Sequence, residues 1–319
     1  MIIYVLNIPN FYCNYYLLGL NGAYSLKYKA DTRFEKFNNK PLLILEVNSK
    51  VVVIDNNDPI GVVPELYEVC HLYFATNKLK ENQSYKLQKA RPLFPHYPVA
   101  IIPLYCRLFG LNLLRYLKWK DLLQQLYIQW RRPQYKSIPF KNRTSNFVFF
   151  SANIWKKEAA ANAIRAAFVR FCKNDPRIQF EGGFVARSDK NNWGFDNLVN
   201  DLRYSPKKFS KLSSQSLIVL NNPAVCDAVS WRLAEYLNQG LFVLSFPFKI
   251  ELPVDFVHED DIHFIENVTE YPEVFDKILT DVPYRNKIAL NGKKYFEKHC
   301  TPEAQAEYMI KQVLKESCL

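Results

Sequence analysis

Residues 216–245 read SLIVLNNPAVCDAVSWRLAEYLNQGLFVLS, and no other stretch limits the folding of this chain so tightly. An apolar, β-type run at 217–220 leads into a polar loop at 221–228. Helical periodicity follows over 229–238, Gly240 stops it, and a second apolar run occupies 241–244. Strand, loop, helix, glycine and strand in this order make a βαβ unit. Its crossover is right-handed, and its first loop borders a ligand crevice at the carboxyl ends of the strands. Two carboxylates belong to the unit, Asp227 before the helix and Glu235 within it, with seven residues between them.

The rest of the chain repeats the α/β rhythm. Residues 1–7, 41–46, 51–54 and 71–75 read as strands, 15–26 and 64–70 as helices, and DNNDP at 55–59 as a turn after a strand. Residues 133–145, with Pro133 and Pro139, read as a linker. Beyond it come a strand at 147–150, a helix at 155–173 and a strand at 177–180. A turn at Glu181-Gly-Gly-Phe184, a polar loop at 188–195 and a helix at 206–212 lead to the opening unit. A strand at 262–266 and helices at 271–279, 283–299 and 302–317 close the chain. With 319 residues, 49% of them hydrophobic, two packed domains are expected, 1–140 and 146–319. No window is apolar enough to span a bilayer, and the N-terminus reads as a strand and not a signal peptide. Seven cysteines without a Cys-x-x-Cys pair suggest reduced thiols and a cytoplasmic setting.

The net charge of +11 is unevenly placed. Up to Ser145 there are 20 Lys+Arg against 9 Asp+Glu, and from Asn146 onward 22 against 22. The excess therefore belongs to the first half, which should face an anionic surface. Residues 104–136 carry aromatic and leucine residues at helical spacing, interleaved with Arg107, Arg115, Lys118, Lys120, Arg131 and Arg132. Such a segment suits peripheral contact with an anionic membrane, or else a surface helix pair of the first domain. No nucleic-acid recognition motif accompanies it, so no nucleic-acid partner is expected.

With 9 Gly, the chain has neither a G-x-G-x-x-G nor a Walker loop, and it lacks a G-x-S-x-G elbow. Its five His show no metal spacing and no Asp-x-Asp pair is present, so no metal and no cofactor are expected. The Asp227/Glu235 unit remains. A helical carboxylate beside a crevice can accept two hydroxyls of a ribose diol. Ser230 and Arg232 offer a hydroxyl and a cation to a diphosphate. The plainer alternative is a helix cap by Asp227 or Ser230 with Glu235 on the surface.

Asp227, seven residues, Glu235, Gly240 five further on and then a strand resemble the donor-sugar signature of GT-B glycosyltransferases. SWRLAEYLNQGLFVLS is similar to the form found in exostosin-like and bacterial capsule or lipopolysaccharide transferases, and the segments FFSANIWKKEAAANAIRAAFVRFCK and FPFKIELPVDFVHEDDIHFIEN share the likeness. The resemblance covers about 146–319. It implies an α/β, GT-B fold of two Rossmann-like domains facing a central cleft, with the C-terminal helices packing back toward the N-domain. It implies a metal-independent enzyme that moves a sugar from a nucleotide-sugar donor to a glycan or lipid-linked acceptor in surface polysaccharide assembly, on the cytoplasmic face of the inner membrane. A non-catalytic sugar-nucleotide-binding scaffold of the same fold is the alternative.

By position, Glu235 would hold the donor ribose and Asp227, where the family usually carries Glu, the sugar. Ser230, Trp231 and Arg232 would lie at the diphosphate. Ser151 and Asn153, after the second domain's first strand, and Arg165 in the next helix would face the phosphates. A base would come from the first domain, with Asp55 and Asp58 at a strand end as candidates and Glu65 and His96 behind them.

Overall fold

The computed structural model describes residues 1–315. Ser317, the expected end of the last helix, and Cys318 lie outside the described residues. The chain divides into two compact units.

Unit 1 comprises Met1–Lys136, Lys249–Asp255 and the chain from Glu297. Its sheet contains β1 (Ile2–Val5), β2 (Ser25–Tyr28), β3 (Leu42–Val47), β4 (Lys50–Asp55), β5 (Leu72–Ala75) and β6 (Ala90–Pro92), in the order β2-β1-β3-β4-β5-β6. Only β3 runs antiparallel to its neighbours. Helices α1 (Asn14–Ala23) and α2 (Pro64–Val69) connect strands, and α3 (Ile102–Phe109), α4 (Asn112–Tyr116) and α5 (Trp119–Arg131) follow the sheet. One core lies under Phe34, Ile44, Val53, Leu66 and Tyr73. On α1, Tyr15, Tyr16, Leu17 and Leu20 are buried.

The C-terminal helix, expected to pack back toward the first domain, belongs to unit 1, and so does segment Lys249–Asp255, which the expected division at 140/146 leaves in the second. The C-terminal helix Pro302–Lys315 lies so close to α1 that a Cβ at Gly19 would sit 1.8 Å from the Pro302 carbonyl oxygen. The Tyr15 hydroxyl donates to the Cys300 carbonyl at 2.7 Å. Segment Lys249–Asp255 is tied by backbone bonds between Lys80 and Lys249 and between Glu251 and Lys78, and by a Lys78–Glu251 ion pair.

Unit 2 comprises Ser137–Phe248 and Phe256–Phe296. It contains β7 (Phe147–Asn153), α6 (Ala159–Asn174), β8 (Gln179–Val185), β9 (Val199–Asn200), α7 (Pro206–Ser213), β10 (Ile218–Asn221), α8 (Arg232–Asn238), β11 (Phe242–Ser245), β12 (His263–Phe264), α9 (Tyr271–Thr280) and α10 (Val282–Tyr295). Two parallel ladders form, β7-β8-β9 and β10-β11-β12. They meet where Leu217 N–H donates to the Phe147 carbonyl at 2.7 Å and Phe149 N–H to the Ser216 hydroxyl at 2.9 Å. Across that seam the order is β9-β8-β7-β10-β11-β12, the doubly wound 3-2-1-4-5-6 arrangement whose strand order reverses between β7 and β10. The core between sheet and helices is built from Val148, Phe150, Phe168, Leu220, Leu244 and Phe275 among others.

Three local departures from expectation have clear causes. Glu181-Gly-Gly-Phe184 is not a turn but the middle of β8. Gly182 and Gly183 have φ of +124° and +131°, and Cβ atoms there would lie 2.0 Å and 2.5 Å from the Phe150 and Leu198 carbonyl oxygens. Helix α6 starts at Ala159 because the Asn162 side chain bonds both the N–H and the C=O of Trp155, which folds the preceding residues into a loop. Helix α8 starts at Arg232 because Cys226 and Asp227 adopt φ of +53° and +61° in a tight turn, closed by Ala224 N–H on the Ala228 carbonyl. Among the described residues no helix is long and apolar enough to cross a membrane.

Candidate functional site

The reversal point between β7 and β10 is where a doubly wound sheet leaves room for a ligand, since the crossovers on its two sides diverge to opposite faces. Two arginines converge there. Arg165, from the second turn of α6, is buried and donates to the carbonyls of Asn153 (3.0 Å) and Pro223 (3.4 Å), at the carboxyl ends of β7 and β10. Its Nε is buried without a hydrogen-bond partner. Its cation lies 5.7 Å from the centre of the Trp155 ring. Arg232, at the start of α8, donates to the Ser151 carbonyl at 3.2 Å and stacks 3.5 Å over the Phe209 ring. The aromatic face fixes the guanidinium in place and leaves its edge for an anion.

Burial pushes the Arg165 guanidinium down to about 10, the like charge of Arg232 adds to the effect, and Glu158 opposes it. Glu158 is itself committed, accepting the Cys226 N–H at 3.0 Å. A buried cation held beside a second one attracts an anion, because a bound phosphate relieves both burial and repulsion.

The other residues expected at the donor all belong to this connection or border it. Ser151 is buried in β7 and contributes its carbonyl to Arg232, while Asn153 is exposed and contributes its carbonyl to Arg165. Ser230 accepts the Arg232 N–H at 3.4 Å. Trp231 is the N-cap residue of α8 and makes no side-chain cap, whereas the Ser230 hydroxyl, on the first N–H of the helix, fits the plainer capping role. Asp227 lies in the left-handed turn before α8 and Glu235 in the first turn of α8, both half-buried. Gly240 has φ +62° and would place a Cβ 2.8 Å from the Phe140 ring, so the helix stop requires glycine. Trp155 and Phe209, which brace the two guanidinium groups, were not singled out from the sequence. Their spacing from the arginines in the chain carries no period that would reveal them.

In unit 1, the loops at the carboxyl ends of β4, β5 and β6 carry a polar network. Asp55 is buried, and both its oxygens are engaged, one by Asn57 N–H (2.9 Å) and Nδ2 (2.6 Å), the other by the Tyr73 hydroxyl. Burial raises its pKa and those bonds lower it, with burial the larger effect. Asp55 therefore frames the loop. Asp58, three residues on, is exposed. Glu65 is a surface residue paired with Lys36. His96 Nε2 meets Asn56 Nδ2 at 2.9 Å, and Asn56 is oriented by accepting from the Thr76 hydroxyl. Burial lowers the His96 pKa to about 4, so the ring is neutral at pH 7 with its Nε2 lone pair used by Asn56. A cleft of about 540 Å³ runs along the edge strand β2, lined by Tyr24, Lys27, Tyr28 and Arg107. It holds no carboxylate and no buried cation, so it is not the candidate site.

No protein-family model and no curated protein matches the chain. Solved structures show a distant likeness. The C-terminal domain of the glycosyl transferase group 1 family protein LpcC from Francisella tularensis is 17% identical, with 49% of this chain and 86% of that one covered and a TM-score of 0.32. Anabaena HepE in complex with UDP-glucose is 12% identical over 79% of this chain and 66% of that one, at a TM-score of 0.45. An alpha-glucosyltransferase in complex with UDP-glucose and DNA containing an abasic site is 10% identical over 98% of this chain and all of that one, also at 0.45. The chain spans 66% of the length of HepE, and 57% and 52% of two further structures that it matches, the GtfA/B complex and TarM. At these levels none of them assigns a role to a residue of this chain.

Proposed function

We propose that the chain is a GT-B glycosyltransferase, moving a sugar from a nucleotide-sugar donor to a glycan or lipid-linked acceptor in surface polysaccharide assembly. The observation that supports this most is the Arg165/Arg232 pair at the strand-order reversal of unit 2. A donor diphosphate would sit against these guanidinium groups. In the reaction the bond between the anomeric carbon and the phosphate oxygen breaks, and a bond to the acceptor oxygen forms. Negative charge grows on the departing diphosphate. Cations already fixed by backbone carbonyls and aromatic rings stabilise that charge without reorganising. The proposal needs no metal, because the two arginines supply the positive charge.

Glu235 would accept the ribose hydroxyls and Asp227 a hydroxyl of the donor sugar. The acceptor hydroxyl must lose a proton, which calls for a carboxylate or imidazole base. A screen of nucleotide sugars for donor hydrolysis tests the reading. At least one donor should be cleaved to its nucleoside diphosphate, and Glu235→Ala should slow that cleavage by about 100-fold, on the order of one lost charge-assisted bond pair. A folded protein that cleaves no donor and binds no nucleoside diphosphate contradicts it.

A further inference from the structure

Helix α5 buries two glutamines beside Leu122 and leaves an apolar stripe outside. Its buried positions include Gln125 and Gln129. Gln125 accepts the Phe11 N–H at 2.8 Å and donates to Asn39 Oδ1 at 2.7 Å, and Gln129 accepts the Ile101 N–H at 3.3 Å. The outward face carries Trp119 (64% exposed), Leu123, Tyr127 and Trp130 (69% exposed). At 3.6 residues per turn these four fall within about 80° of one another, a single stripe. Leu111 and Leu114, just before α5, are also exposed. Ordinary packing would turn these residues inward and the glutamines out. Lys120 and Arg131 lie within about 40° of the stripe's edge, and Arg115 and Lys118 precede it in chain order, all four exposed. Over residues 104–132 there are six Lys+Arg and one acid, Asp121.

We infer that this face of unit 1 docks onto an anionic lipid bilayer. Trp and Tyr would sit at the headgroup level, the leucines at the acyl boundary, and the basic flank against lipid phosphates. The charge decides against a second copy, since a two-fold contact would set one basic face against an identical one. It decides against a soluble anionic partner less directly. There the six exposed apolar side chains need a matching apolar surface, whereas a bilayer supplies headgroup charge and acyl chain together.

The inference does not depend on sugar transfer, because vesicle binding is read without donor or acceptor. The test is flotation of the full chain with vesicles of phosphatidylcholine alone, or with about 30% phosphatidylglycerol, in about 0.1 M and 0.5 M salt. The chain should float only with the anionic vesicles and release at the higher salt. Lys118→Gln with Lys120→Gln should lower partitioning by roughly 30-fold, two surface charges' worth. Trp119→Ser with Trp130→Ser should abolish flotation while thermal stability and circular dichroism are unchanged, since both rings are exposed. Flotation equal with and without anionic lipid, or undiminished in the Trp pair, overturns the inference. So does a dimer in light scattering that the same pair dissolves, which would give the face to a second copy.

Discussion

Single atoms decide several features of this molecule. Replacing Gly19 by Ala would drive a methyl group into the Pro302 carbonyl, where the nearest heavy atom is 1.8 Å away and belongs to backbone. Chemical denaturation should show a loss of about 3 kcal/mol, at the high end for an overpacked contact. His96 is lowered to about 4 by burial, against 6.5 when unfolded. The native state then binds fewer protons than the unfolded chain between these values, so stability is complete above pH 6.5 and falls as the pH drops toward 4. From pH 7.5 to pH 5 the loss from this group is about 2 kcal/mol. Urea unfolding at the two pH values should show it, and His96→Gln should flatten that dependence, because a glutamine oxygen can still accept from Asn56.

The elements show which parts of the fold the residues announce. Alternating apolar runs and the Gly240 stop mark β10, α8 and β11, since burial on both faces and a helix end at positive φ leave a local signature. The departures occur where a distant partner sets the local conformation. Glu181-Gly-Gly-Phe184 reads as a turn by composition, but its glycines serve the close approach of β7 and β9. The late start of α8 depends on the Cys226–Asp227 turn, and that of α6 on the Asn162 side chain. Arg232 was legible as a cation near a crevice, and Arg165 only through the family resemblance. The Trp155 and Phe209 rings that position them come from other elements and were not. Helix α5 hides its polarity in the same way, because nothing local says that Gln125 faces inward. Gln125→Leu should destabilise the protein by about 2 kcal/mol in a urea melt despite adding apolar surface, because it leaves the Phe11 N–H and Asn39 unpaired.

At the scale of the molecule, the chain is not two consecutive domains. Segment Lys249–Asp255 and the chain from Glu297 return to unit 1. A fragment ending at residue 140 would expose the α1 surface that the C-terminal helix covers. It should lack cooperative unfolding by circular dichroism, whereas two contiguous domains would leave it folded. The positive excess is shared, a net +7 on unit 1, which carries the helices with the outward aromatic stripe, and a net +4 on unit 2, which carries the Arg165/Arg232 pair. The central claim is that this pair receives a nucleoside diphosphate. Isothermal calorimetry with uridine and guanosine diphosphates on the full chain, its Arg165→Met variant and its Arg232→Ala variant tests it most directly. Binding of one nucleotide, weakened at least about tenfold in each folded variant as expected for a charge-assisted pair, is the predicted result. Binding of neither nucleotide, or equal binding in both variants, would contradict it.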